Sequence, residues 1–359
     1  MRARAWDIVG VSAAVVAVVV TPWADAPASQ AEEAAAPLQW MGRVDASSPG
    51  GPRFAWPGTA VSVRFSGSSL AVRLKDEGSN AFEVIVDGAA KGVLFTGPSR
   101  ELYPIASGLD AGDHEATLVK RTEALFGEVQ LLGFVPSSEG ALGPASAWRP
   151  ARRIELVGDS ITAGYGDEGT TPTCPFSAST ENELAAYGAI AARALGAEHA
   201  TLAWSGKTVA GMAALYDRAL PGRADSRWDA ASWVPDAVVI NLGTNDMLRS
   251  DAKEDSFVAA FDSLVARVRA AHPRAFIVCA LGPMLTDGFP SGGRRLSHAR
   301  AYLQAVVEHA RAAGDARVEL LEFPTQDTTK AGCGFHPGLA AHRAMADQLA
   351  ALLRSRLGW

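Results

Sequence analysis

The sequence lacks most of the short signatures that would assign it quickly. It has three cysteines with no CxxC pair and seven histidines with no HExxH pattern, so no metal site is indicated and no cofactor is expected. GxSxG is absent, which removes the main mark of an α/β-hydrolase elbow. Basic excess is absent too: 33 Lys and Arg face 39 Asp and Glu, a net charge of −6. Such a chain has no electrostatic footprint for nucleic acid. Long apolar runs are scarce. Ile8 to Val20 spans about 13 residues, short of the roughly 20 that cross a bilayer. Arg2 and Arg4 precede that run and Ala24-Asp25-Ala26 places small residues at cleavage spacing. Residues 1–26 are therefore expected to be an export signal. The mature protein would be secreted or periplasmic, without stable membrane association. In an exported chain, three cysteines suggest one disulfide and one free thiol. Cys279 lies in the apolar run Phe276 to Leu281, which leaves Cys174 and Cys333, both in loop-like sequence, as the expected pair.

What is present falls into two rhythms. Residues 27–37 are Ala- and Glu-rich and read as a flexible lead-in. From 38 to 135 short runs alternate apolar and polar residues: Val61 to Phe65, Leu70 to Leu74, Phe82 to Val86, Glu115 to Val119 and Glu128 to Phe134. With Gly-, Asp- and Ser-rich turns between them, these runs predict an antiparallel β-sandwich. Residues 136–150, rich in Pro, Gly, Ser and Ala, read as a linker. From 151 to 359 strands alternate with helical periods. Arg153 to Val157, Thr201 to Trp204, Ala237 to Leu242, Phe276 to Leu281 and Val318 to Leu321 read as strands, and helices are expected near 184–195, 255–271, 296–312 and 339–357. That order predicts an α/β fold with a parallel sheet covered on both faces.

In such folds reactive groups gather at the carboxyl ends of the strands. Three strands here run into Gly158-Asp159-Ser160-Ile161-Thr162, Ser205-Gly206-Lys207 and Gly243-Thr244-Asn245-Asp246, and Gly334-Phe335-His336-Pro337 precedes the last helix. Serine hydrolysis needs a base for the hydroxyl proton and donors for the oxyanion. Singly each element is weak, since a serine after a strand is commonly a helix cap and Asn245 could form an Asx-turn. Together they supply Ser160, His336, and N–H donors from Ser160, Gly206 and Asn245. Trp204 and Asp159 are candidates for substrate contact. Trp228 and Trp233 lie near the proposed site loops, and Lys207 reads equally as a solvated charge. Gly164-Tyr165-Gly166-Asp167-Glu168-Gly169 matches GxGxxG, but Pro172 and Pro175 follow where a dinucleotide fold needs a helix.

These four blocks resemble those of the SGNH (GDSL-type) hydrolases, which implies a three-layer α/β/α domain with Ser160 as nucleophile, His336 as base, and Ser160, Gly206 and Asn245 as the oxyanion hole. The likeness extends upstream. GRVD at Gly42, RFAWPGT at Arg53, VDG at Val86, KRTEALFG at Lys120 and TENELAAYG at Thr180 are similar to carbohydrate esterase family 2. That family joins an N-terminal jelly roll to an SGNH domain and removes acetyl groups from xylan and glucomannan. The resemblance thus implies an acetylated polysaccharide or oligosaccharide as substrate, and a β-domain that mainly buttresses the catalytic cleft.

One departure stands out. Most SGNH enzymes carry an aspartate three residues before the histidine, where this chain has Cys333. Either a backbone carbonyl orients His336, leaving a Ser–His dyad, or Asp327 loops back to it, or the site has decayed. The alternatives for function are therefore a general short-chain esterase or lipase, because fold and triad do not fix the acyl acceptor, and a carbohydrate-binding protein with an impaired hydrolase domain. The sequence assigns no oligomeric state.

Overall fold

The computed structural model describes residues 38–146, 149–249 and 252–359; the expected export signal and lead-in lie outside them. The first ten strands are β1 (Gln39–Met41), β2 (Arg53–Phe54), β3 (Ala60–Ser66), β4 (Leu70–Asp76), β5 (Ala81–Val86), β6 (Ala89–Phe95), β7 (Leu102–Ala106), β8 (Asp113–Lys120), β9 (Val129–Pro136) and β10 (Leu142–Gly143). They form two antiparallel sheets. One runs β1-β3-β8-β5-β6, with β10 also paired to β3, and the other β2-β9-β4-β7. The period-2 alternation explains why. Val61, Val63 and Phe65 of β3, Leu70, Val72 and Leu74 of β4, and Phe82, Val84 and Val86 of β5 share one buried cluster, while Arg64 and Arg73 face outward. Part of the expected linker is structured, since Leu142 pairs with Phe65 and Gly143 with Arg64.

The second region carries β11 (Arg152–Gly158), β12 (Ala197–Ala203), β13 (Ala237–Asn241), β14 (Phe276–Leu281) and β15 (Val318–Glu322), all parallel in the order β12-β11-β13-β14-β15. The helices are α1 (Ser160–Ala163), α2 (Tyr187–Leu195), α3 (Val209–Ala213), α4 (Thr244–Arg249), α5 (Glu254–Ala271), α6 (Arg295–Ala312) and α7 (Leu339–Leu357). A sheet covered on both faces has strands that are apolar throughout. Here alternate residues serve different layers. Val238, Ile240, Ile277 and Cys279 pack with α3, α5 and α6, and Ala237, Val239, Phe276 and Val278 with α2 and α7. No helix among the described residues is long and apolar enough to cross a membrane.

The two regions are joined by buried contacts. Trp56 is 1% exposed and belongs to the core cluster of the parallel sheet and its helices; its Nε1 donates to Arg218 O at 3.3 Å. Arg43 pairs with Glu155 of β11 at 2.8 Å, both side chains almost fully buried. Tyr216 Oη donates to the other oxygen of Glu155 at 2.7 Å, and the Tyr216 ring lies 5.1 Å from the guanidinium. Arg43 also donates to the main chain at Tyr216 and Arg218, which offsets part of the cost of desolvating the pair.

Candidate active site

Asp159 follows β11 as the N-cap of α1, accepting from Ile161 N at 3.0 Å. Ser160 is then the first residue of a short helix, where N–H groups have no intrahelical partner. Its Oγ lies 2.8 Å from His336 Nε2. His336 Nδ1 lies 3.1 Å from Gly334 O. A carbonyl can only accept, so the imidazole hydrogen sits on Nδ1 and Nε2 accepts from the serine hydroxyl. Gly334 has φ 63°, a left-handed conformation that glycine takes without a Cβ penalty. The turn is fixed on several sides. Cys174 and Cys333 are bonded, Cys333 N donates to Gly166 O at 2.9 Å and Phe335 N to Pro172 O at 3.1 Å. Burial pulls the imidazole down to about 4, against the opposing pull of the Gly334 and Cys333 carbonyls. His336 is therefore neutral at pH 7.

Asp327, the alternative orienting group, does not reach His336. It is the exposed cap of a 3₁₀ turn, accepting from Thr329 N at 3.0 Å and Thr329 Oγ1 at 2.7 Å, with Lys330 Nζ 3.6 Å away. An aspartate two residues before a threonine satisfies its local backbone first. Asp159 is likewise corrected as a substrate contact. It is fully buried, and Oδ2 accepts from Asn245 Nδ2 at 3.1 Å. Burial pushes its carboxyl up to about 7, partly countered by the Ile161 N–H and the Asn245 amide.

The segment after β12 makes a turn, with Lys207 N donating to Trp204 O at 3.3 Å. Gly206 O accepts from Arg249 Nη1 at 3.2 Å. Asn245, at the start of α4, donates to Asp159 Oδ2 and also to Lys207 O, each at 3.1 Å. One amide thus ties the residue before Ser160 to the residue after Gly206. Among the described residues the backbone N–H groups of Ser160 and Gly206 carry no hydrogen bond. Trp204 is half-buried with the Lys207 ammonium 4.3 Å over its ring. Trp228 stacks on Arg43, and Trp233 on Arg153 near the amino end of β11, opposite the edge that carries Ser160.

Four residues escaped the sequence reading as parts of the site. The Tyr165 ring lies 4.2 Å from the His336 imidazole and stacks on Phe176 at 3.6 Å, and Phe176 in turn lies 5.5 Å from Phe126. Phe126 comes from the β-region, as does Glu123, whose carboxylate accepts from Ser205 N. Residue type was the sole sequence signal for the rings, because no local spacing joins them. The GxGxxG run also has its account here. A Cβ on Gly169 would sit 2.5 Å from Cys333 Sγ and 2.6 Å from Cys174 Sγ, so this glycine admits the disulfide.

Comparison with known proteins agrees with this architecture. The family model described as carbohydrate esterase 2 N-terminal matches residues 40–145, and that of the GDSL-like lipase/acylhydrolase family matches residues 156–344. The cellulase/esterase CelE of Acetivibrio thermocellus is 40% identical over 336 residues, 90% of this chain, and the chain spans 40% of that protein's length. An acetylxylan esterase/glucomannan deacetylase of Cellvibrio japonicus is 27% identical, with 90% of this chain and 92% of that protein aligned. Among solved structures, a family two carbohydrate esterase from Clostridium thermocellum in complex with cellohexaose superposes with a TM-score of 0.84 at 40% identity, covering 90% of this chain and 99% of that one. Two antiparallel sheets ahead of a parallel-sheet domain, matched along both parts, place the chain in carbohydrate esterase family 2, and it is a carboxylic ester hydrolase of the SGNH, GDSL-like class.

Proposed function

We propose that this protein is an exported deacetylase of plant cell-wall polysaccharides such as xylan and glucomannan, acting through an acetyl-enzyme on Ser160. The observation that carries the chemistry is the Ser160 Oγ–His336 Nε2 contact of 2.8 Å with Gly334 O behind the imidazole. Ser160 Oγ attacks the acetyl carbonyl carbon as its proton passes to Nε2. The oxyanion rests on the N–H groups of Ser160 and Gly206, and Asn245 supplies a third donor by giving up the Lys207 carbonyl. His336 then protonates the leaving sugar oxygen. Water, deprotonated by the same imidazole, releases acetate. The Gly334 carbonyl keeps the productive tautomer, which is part of what a triad carboxylate does; it adds no full charge to stabilise imidazolium.

The substrate reading is supported by the deacetylase names of the C. japonicus relative and by the solved relative that binds cellohexaose. Export is supported by the leader-like residues 1–26 and by a disulfide, which persists in oxidising compartments. The test is acetate release from acetylated xylan, acetylated glucomannan and 4-nitrophenyl acetate. Ser160→Ala and His336→Ala should each lose at least about 10³-fold in kcat. Activity on the nitrophenyl ester alone would replace the polysaccharide assignment with a general short-chain esterase. Full activity of either variant would remove the dyad.

A further inference from the structure

The turn that presents Gly206 is anchored from outside its own sheet. Ser205 N donates to Glu123 Oε2, and Glu123 belongs to the segment leaving β8 in the β-region. Arg249 donates to Gly206 O, and Asn245 donates to Lys207 O. Glu123 is the one anchor that arrives from the other region, and it is fully buried. Its own position is set by a second fully buried carboxyl, Glu181, whose Oε2 accepts from Glu123 N at 2.9 Å. The remaining oxygens, Glu123 Oε1 and Glu181 Oε1, are buried without a hydrogen-bond donor. Lys120 is buried nearby, but its ammonium donates to the carbonyls of Thr122 and Glu123 and reaches neither carboxyl oxygen by a hydrogen bond. Two adjacent buried carboxyls disfavour each other's ionisation. Burial is the largest influence on each, and it raises both above the ordinary range. Glu123 Oε2 is the oxygen that accepts from Ser205 N, while Glu181 Oε2 holds the Glu123 main chain.

We propose that Glu123 is a positioning residue for ester hydrolysis: through the Ser205 N–H it sets the turn that aims the Gly206 N–H at the oxyanion, and Glu181 holds it there by accepting from the Glu123 N–H. This rests on the Ser160 esterase reading. It implies that the β-region contributes to kcat and not to folding alone. Misplacing one oxyanion donor costs about 10²–10³-fold in rate.

The experiment compares kcat and KM on 4-nitrophenyl acetate for wild type, Glu123→Ala, Glu123→Gln, Glu123→Asp and Ser160→Ala, with melting temperatures measured alongside. Glu123→Gln keeps the reach and an oxygen that can accept from Ser205 N. Glu123→Asp keeps the charge but withdraws it by one methylene. Expected is a kcat about 100-fold lower in Glu123→Ala at nearly unchanged KM, recovery to within about tenfold in Glu123→Gln, and a larger loss in Glu123→Asp than in Glu123→Gln. If Glu123→Ala does not fold, the order of the Gln and Asp variants still decides. Asp outperforming Gln, or kcat unchanged in all three, overturns the positioning role. Loss of activity in Ser160→Ala together with normal Glu123 variants overturns this proposal alone, whereas full activity in Ser160→Ala overturns the esterase reading beneath it.

Discussion

Replacing Trp56 with alanine removes a side chain that belongs by sequence to the β-region and by packing to the core of the parallel-sheet region. Truncating a buried Trp costs about 3–5 kcal/mol. The lost indole hydrogen bond adds little, because Arg218 O keeps its second donor, Arg43 Nη1 at 3.3 Å. We take about 4 kcal/mol. Unfolding entropy is about 2.1 cal/mol/K per residue, or about 0.7 kcal/mol/K for the roughly 320 residues beyond position 37. The melting temperature should therefore fall by about 6 °C. The decisive feature is shape. With Trp56 bridging the two cores and Arg43–Glu155 buried beside them, scanning calorimetry should show one transition, and Trp56→Ala should move the whole of it. Two resolved transitions in wild type, with only the lower one shifting in the variant, would refute the shared core. So would residues 150–359 folding and acting normally alone.

Further expectations concern the site. In the proposed mechanism neutral His336 is the proton acceptor, and burial pulls its pKa to about 4, so the acid limb of kcat/KM should fall near pH 4 and not near 6.5; a limb at 6.5 would mean an exposed imidazole. Stability has the same sign. His336 and His342, drawn to about 4 and about 3 by burial, take up protons in the unfolded chain first, so stability should drop as pH falls from 6.5 toward 3, a decline that urea titrations at stepped pH would reveal. Asp159→Asn retains an oxygen to cap Ile161 but turns an amide toward Asn245 Nδ2, so kcat should fall about 100-fold; wild-type kcat would show that the Asp159–Asn245 bond is dispensable. Removing the disulfide that closes 159 residues with the Cys174→Ser/Cys333→Ser pair should destabilise by about 5 kcal/mol on loop entropy alone, read as a lower melting temperature that wild type reproduces in reductant; an unchanged melting temperature would show that the bond does not constrain the unfolded chain.

Much of this molecule was legible because its periodicities are local. Alternation marked β3, β4, β5, β8 and β9, and unbroken apolar runs marked β13 and β14. β6 escaped because its residues are nearly all exposed at the sheet edge, where no core imposes a pattern. β1, β2 and β10 have two or three residues, too few for any period. The blocks carrying Ser160, Gly206, Asn245 and His336 were visible because each ends a strand or precedes a helix. Glu123 was visible only as part of KRTEA. Its partners Glu181 and Ser205 lie 58 and 82 positions away, and nothing local states that its carboxylate leaves the β-region.

The absent triad acid shows most clearly where sequence spacing stops. The nearest carboxylate upstream of His336 is Asp327, and side chains are all that a sequence displays. The group found at Nδ1 is a main-chain carbonyl, present at every residue and therefore invisible as a motif. A carboxylate on a flexible side chain can adjust to the imidazole, whereas a carbonyl is only as well placed as the backbone that carries it. That demand accounts for what surrounds Gly334: its left-handed φ, the bond from Cys333 to Cys174, and the main-chain hydrogen bonds from Cys333 to Gly166, from Phe335 to Pro172, and from Gly332 N to His336 O at 2.8 Å. Cys333 stands at the position where the acid is usually found and is used to fix the turn. In the proposed dyad the orienting task falls to the main chain, and the Cys174–Cys333 bond restrains the turn that carries it.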